Sequence, residues 1–225
     1  MRTRNAIIGI SIGLVVMTGV ILLSRRLRLS GFKKRVVDNA IREWKLWGKP
    51  IRAVSGDFQG GETECTPIYK ERVGEYWKKG TGKDIDGCDR GTPWSSAFIS
   101  FIMKKSGAGN DFVYSASHSK YIRSAISNTK SGGKYPFMAY RLSEKPVSLG
   151  DLVCYSRQSG VDYNTTGSYK SHCDIVVKVS KLRGIIEVIG GNVADGVTKR
   201  VLKIDRQGYL IDKSNDWFTI IKINK

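Results

Sequence analysis

Apolar residues fall along this chain in three regimes. Residues 6–24, AIIGISIGLVVMTGVILLS, make one uncharged run. Between residues 33 and 128 the apolar positions recur at helical spacing. Lys33 to Trp47 predicts an amphipathic helix with Val37, Ala40, Ile41, Trp44 and Trp47 on one face, ended by Gly48. Tyr69 to Lys79 predicts a second helix with Val73, Tyr76 and Trp77 on one face, and Gly80 to Thr92 a Gly- and Asp-rich loop. Ser95 to Ser106 predicts an apolar helix stopped at Gly107, and Ser117 to Asn128 another, carrying Tyr121, Ile122 and Ala125. Beyond residue 150 the pattern changes to short runs rich in Val, Ile and Tyr, separated by Gly, Ser, Asp or Asn. These predict strands over Asp151–Ser156, Ser171–Val179, Gly184–Ile189, Val197–Ile204 and Trp217–Ile223. Helices followed by strands imply an α+β fold with an antiparallel sheet.

The uncharged run changes the picture at the N-terminus. It is long enough to span a bilayer core, follows Arg2 and Arg4, and precedes Arg25, Arg26 and Arg28 with no small-residue cleavage site. It reads as an uncleaved signal anchor, so the chain divides into a transmembrane helix with a basic flank (1–30) and a globular domain (31–225). The two flanks conflict over orientation. The positive-inside rule would keep the domain in the cytoplasm, whereas the cysteine count argues for export. Export is preferred, because long domains translocate despite flanking charge.

Charge narrows the partners. There are 38 Lys and Arg against 20 Asp and Glu, a net charge of +18. Such a field attracts anionic polymers, with an anionic envelope polymer or peptidoglycan as the expected partner; a solvated cationic surface accounts for it equally well. No nucleic-acid-binding motif is present, and the anchor argues against that class. Cys65, Cys88, Cys154 and Cys173 form no C-x-x-C pair, and the two histidines lack ligand spacing, so no metal site and no cofactor is expected. Two disulfides, Cys65–Cys88 and Cys154–Cys173, would each close within one structural region; four free thiols in a cytosolic protein are the alternative.

Nucleophilic hydrolysis needs a nucleophile, a base and a group that orients the base. The start of a helix is an economical place for the nucleophile, because unpaired backbone N–H groups there can meet an oxyanion. Pro93-Trp94-Ser95 offers such a start. The base must be His118 or His172. His172 opens a strand, and Asn192 in Gly190-Gly191-Asn192 lies on the next one. By spacing alone, Ser95 also reads as a helix cap, His172 as structural and the Gly-Gly-Asn as a turn. Cys173 is adjacent to His172 and so points to the other strand face.

PWSSAFISFIMKKSG resembles the nucleophile helix of CHAP-type amidases and peptidases, with serine where those have cysteine. LGDLVCYS, SHCDIVV and GIIEVIGGNVADGV resemble the strands of the same papain-like superfamily, which includes the NlpC-type cell-wall peptidases. The chain from about Ala40 to Ile204 is also similar to the domain of unknown function 2272, which shares the PWS-type helix and the segment Phe112–His118 with Tyr121 following. This resemblance implies a papain-like fold with N-terminal helices packed on an antiparallel sheet or half-barrel. It also implies a site of Ser95, His172 and Asn192, with His118, Trp94 and Tyr121 contacting substrate. Asp89, shortly before the nucleophile helix, and Asp174, two residues beyond His172 and so on the same strand face, are the candidate acidic site residues, placed to bind a cationic substrate group or to orient a histidine. The expected function is a membrane-anchored peptidoglycan amide hydrolase on the extracytoplasmic side. Serine is a poorer nucleophile than cysteine, so a lapsed enzyme that keeps the groove for binding is the alternative.

Overall fold

The computed structural model describes residues 31–60, 63–89 and 91–225. The uncharged run and its basic flank lie outside the described residues. Among the described residues no helix is long and apolar enough to cross a membrane. Residues Gly31–Lys225 cluster as one compact unit.

The elements in chain order are α1 (Gly31–Leu46), β1 (Ile51–Arg52), β2 (Phe58–Gln59), α2 (Pro67–Thr81), α3 (Ser95–Lys105), α4 (His118–Lys130), β3 (Phe137–Tyr140), β4 (Leu152–Ser156), β5 (Ser171–Ser180), β6 (Ile185–Val193), β7 (Gly196–Lys203) and β8 (Asp216–Ile223). The strands form one sheet in the order β2-β1-β7-β6-β5-β4-β8-β3. The sheet is mixed rather than purely antiparallel, because β1 runs parallel to β7. The fold is α+β.

The helical half is built around α3. Every residue from Ser95 to Met103 is buried, as expected of a helix that is apolar on all sides. Burying each of Phe98, Ile99 and Ile102 completely stabilises the fold by about 1.5–3 kcal/mol. Helix α2 starts with Pro67 at its first turn and ends on Gly82 in the left-handed conformation, φ 78°. It packs closely on α3 because Gly80 has no side chain: a Cβ there would stand 2.6 Å from the Ala97 carbonyl oxygen.

The central strands carry apolar side chains on both faces, which is why their sequences read as continuous apolar runs. Cys154, Cys173 and Ile175 face the helices. Val153, Val176, Val188, Leu202 and Ile220 form a second cluster with Val147, Leu210 and Trp217. Strand β3 was absent from the expected elements. Its edge is covered by α4, whose Asn128 and Thr129 side chains donate to the Phe137 and Ala139 carbonyls, so a tertiary contact replaces the neighbouring strand an edge lacks.

Two disulfides are formed, Cys65–Cys88 and Cys154–Cys173, and such pairs are the mark of an oxidising compartment. Cys154 and Cys173 are directly opposite in the β4–β5 ladder, between the pairs Val153–Asp174 and Tyr155–His172. The bridge therefore lies on the sheet face opposite to the His172 and Asp174 side chains.

Candidate functional site

Ser95 is the first residue of α3, and the first intrahelical hydrogen bond runs from the Phe98 N–H to the Trp94 carbonyl. The N–H groups of Ser95, Ser96 and Ala97 precede that bond and have no partner within the helix. Burial of hydroxyls requires partners, and the α3 serines find them in the segment that leads into α4. Ser96 and Ser100 both donate to the Ser115 carbonyl, and the Ser115 N–H donates to the Ser100 hydroxyl. The chain three residues before His118 is thereby sewn to the helix that carries Ser95.

The result is a contact that the chain order does not announce. The Ser95 Oγ lies 2.7 Å from His118 Nε2. The other ring nitrogen, Nδ1, is hydrogen-bonded to the Tyr121 hydroxyl one turn along α4. If Ser95 donates to Nε2, Nδ1 carries the proton and donates to the Tyr121 oxygen. Burial drives His118 well below the ordinary imidazole value, and a charge on His172 pushes the same way against the opposing Asp174. The ring is therefore neutral at neutral pH, the form that accepts a proton. Burial raises the Tyr121 phenol well above its usual value, so Tyr121 orients the ring as a neutral hydroxyl.

His172 is engaged elsewhere. Its ring packs at 5.2 Å from that of His118, tilted by 37°, but its Nε2 bonds Asp174 at 2.9 Å. The other Asp174 oxygen pairs with the Arg200 guanidinium. Burial alone would raise the Asp174 carboxyl; the charges on Arg200 and His172 outweigh it and hold Asp174 at about 2. Burial lowers His172 in spite of Asp174. Tyr155 packs on His172 at 5.1 Å and on Trp217 at 4.9 Å, with the Arg200 guanidinium over both aromatic rings.

Gly190 and Gly191 explain how the next strand comes so near. A Cβ at Gly190 would stand 1.9 Å from Asp174 Oδ1 and 2.9 Å from His172 Nε2. One at Gly191 would stand 2.5 Å from Phe98 Cβ. The glycine pair lets β6 press the Asp174 network on one face and α3 on the other.

Several expected placements change. Ser95 meets His118, not His172. Asn192 faces the same small cleft as His172, yet Asp174 takes the place on the ring intended for it. Asn192 instead adopts a left-handed backbone, φ 54°, where the β6–β7 register shifts before a turn at Ala194 and Asp195. Trp94 is buried; it packs on Trp47 and Tyr76 and donates its indole N–H to Glu64, so it buttresses the start of α3 from inside. Asp89 is exposed and accepts the Thr92 hydroxyl in the turn before α3. The Cys65–Cys88 bridge lies beside these residues, where the backbone at Gly87 closes on the Glu64 carbonyl.

Ser95 and His118 form the floor of a cleft of about 820 Å³ lined also by Trp77, Lys83, Arg157, Tyr169, Lys170 and Ser171. A larger cleft of about 980 Å³ runs along α2, but Arg72, Glu75 and Lys79 in its wall are paired with one another, and no histidine lines it. Arg200 was missed from sequence. The available signal was its place in Thr198-Lys199-Arg200-Val201-Leu202, on the strand face shared with buried Thr198 and Leu202. Arg157, Lys83 and Lys170 lie on loops and carried no such signal. No cluster of His, Cys, Asp or Glu suited to a metal ion exists among the described residues.

No curated protein and no solved structure matches the chain. Residues 64–223, which include the whole of this site, match the model of a family described as an uncharacterized protein conserved in bacteria. The chain belongs to that family, the domain of unknown function 2272.

Proposed function

We propose that this domain is a serine hydrolase of papain-like type, with Ser95 as nucleophile and His118 as its base. The observation that carries the reading is the 2.7 Å contact between the Ser95 Oγ and His118 Nε2 at the first turn of a buried helix. In the proposed cycle the Ser95 oxygen attacks the carbonyl carbon of an amide while its proton passes to His118 Nε2. The oxyanion forms in front of the free N–H groups of α3. Collapse breaks the C–N bond, and His118 returns the proton to the leaving amine. Water, deprotonated by the same imidazole, then hydrolyses the ester. His118 becomes imidazolium twice in this cycle, and the anionic Asp174 beyond His172 favours that charge.

The proposed substrate is an amide in peptidoglycan, on the extracytoplasmic side of a membrane in which residues 6–24 are the anchor. The two disulfides and the cationic surface support that setting. One observation favours the alternative of a lapsed enzyme: Ser95 and His118 are only 3% and 4% exposed, so an acyl group reaches them only if the cleft opens. A fluorophosphonate probe separates the two readings. The hydrolase labels at Ser95, and the label is lost in His118→Gln. Absence of labelling, with release of no fragments from murein, leaves only the binding role.

A further inference from the structure

Buried side-chain polar atoms without a hydrogen-bond partner are few in this fold, and they cluster. Four are found among the described residues: Trp77 Nε1, the Tyr169 hydroxyl, the Ser171 hydroxyl and Arg200 Nε. The first three belong to residues lining the Ser95 cleft. All three side chains are more than nine-tenths buried, at 1% exposed for Trp77, 6% for Tyr169 and 8% for Ser171. Leaving such groups unpaired is costly, and a cluster of them calls for a partner that the chain itself does not supply.

The rim of the same cleft carries Lys83, Arg157 and Lys170, all exposed. None of the described residues lining it is Asp or Glu, and none of these three cations forms an ion pair among the described residues. Lys83 stands over the Trp77 ring at 5.8 Å. Arg157 also borders the small cleft that holds His172, and its charge reaches both imidazoles. The indole N–H only donates, as do ammonium and guanidinium groups, and both hydroxyls can donate. The cleft thus offers donors and positive charge to whatever binds there.

We infer that the Ser95 cleft is a subsite for a compact oxyanion, a carboxylate or phosphate group carried by the substrate. Lys83, Arg157 and Lys170 bind its charge, and Trp77, Tyr169 and Ser171 bind its oxygens. That the anion belongs to a substrate rests on the reading of Ser95 as nucleophile; the binding itself does not.

The test is equilibrium binding to the full-length chain, by calorimetry, of three probes: N-acetyl-dialanine with its free carboxylate, the same peptide as its C-terminal amide, and inorganic phosphate. The expected result is saturable, salt-sensitive binding of at least one anion, with the amide weaker by about tenfold, the scale of one charge-assisted hydrogen bond. Preference for the peptide acid assigns the anion to a peptide terminus, and preference for phosphate to a phosphate-bearing polymer. The double variant Arg157→Gln/Lys170→Gln changes only exposed side chains and is expected to lose most of the affinity. Trp77→Phe is expected to lose less. Equal binding of acid and amide with no saturable binding of phosphate, unchanged anion binding in the double variant, or no saturable binding of either anion at millimolar concentration overturns the inference. Repeating the titration with Ser95→Ala keeps the two readings apart. Anion binding without probe labelling sinks the nucleophile and leaves the subsite, and labelling without anion preference does the reverse.

Discussion

The two histidines of this chain touch ring to ring and yet sit in opposite chemical settings. His172 is held by charge: Asp174 bonds its ring, and Arg200 bonds Asp174 from the far side. His118 is held by hydroxyls alone, Ser95 on one nitrogen and Tyr121 on the other. A buried carboxylate that grips an imidazole and a guanidinium is costly to disturb, because removing one member strands the others in a medium of low polarity. A hydroxyl contact is cheaper to break and can pass a proton. The difference teaches that burial and proximity do not assign a role. His172 is placed as a buttress, whereas His118 is the ring that, under the proposed function, takes the Ser95 proton.

The comparison is broken most easily on the His172 side. Asp174→Ala removes the carboxylate between His172 and Arg200 and is expected to cost about 3–5 kcal/mol in denaturant unfolding. A cost below about 1 kcal/mol would remove the distinction between the two histidines. Next in size is Gly190→Ala. The added methyl meets Asp174 Oδ1 and His172 Nε2, and a loss of about 1–3 kcal/mol is expected from overpacking; an unchanged midpoint would mean that β6 has room to move.

Acid titration weakens both sides at once. Burial holds both imidazoles below their unfolded value of 6.5. Below that value the unfolded chain takes up protons that the folded chain refuses, so stability falls as pH drops below about 6.5. Asp174 contributes a separate step, with stability present above 3.8 and lost as pH falls toward about 2. Thermal midpoints measured between about pH 7 and about pH 5 should decline, and a level profile would show that neither ring is held neutral by the fold.

The smallest effects on stability are expected on the His118 side, where the chemical effects are largest. Ser95→Ala leaves one ring nitrogen without a partner and should change stability by about 1 kcal/mol, while fluorophosphonate labelling disappears. Tyr121→Phe should slow labelling about tenfold, the worth of one hydrogen bond of about 1.4 kcal/mol. If instead His172→Gln slows labelling more than His118→Gln at equal stability, the two roles are exchanged.

Much of the architecture was legible because it depends on local periodicity. The all-round apolar run after Ser95 marks a buried helix wherever it packs, and the β-branched runs after residue 150 mark strands. Elements whose existence depends on a neighbour were not legible. The two-residue strands β1 and β2 and the short β3 are defined by their partners, β7, β8 and helix α4. Arg200 looked like one more surface cation until Asp174, on a strand two places away, was brought to it.

The amino-acid sequence by itself determined that Ser95 opens a helix, that His172 and Asp174 share one face of a strand, and that Cys173 takes the other. Those are consequences of backbone periods, which act over a few residues. Only the tertiary structure decided which histidine meets Ser95. His118 reaches it because Ser96 and Ser100 bind the Ser115 backbone and fix the entry of α4. His172 is withheld because Asp174, given room beside β6 by Gly190, already occupies its ring. Such contacts depend on packing between segments far apart in the chain, and no spacing along one segment encodes them.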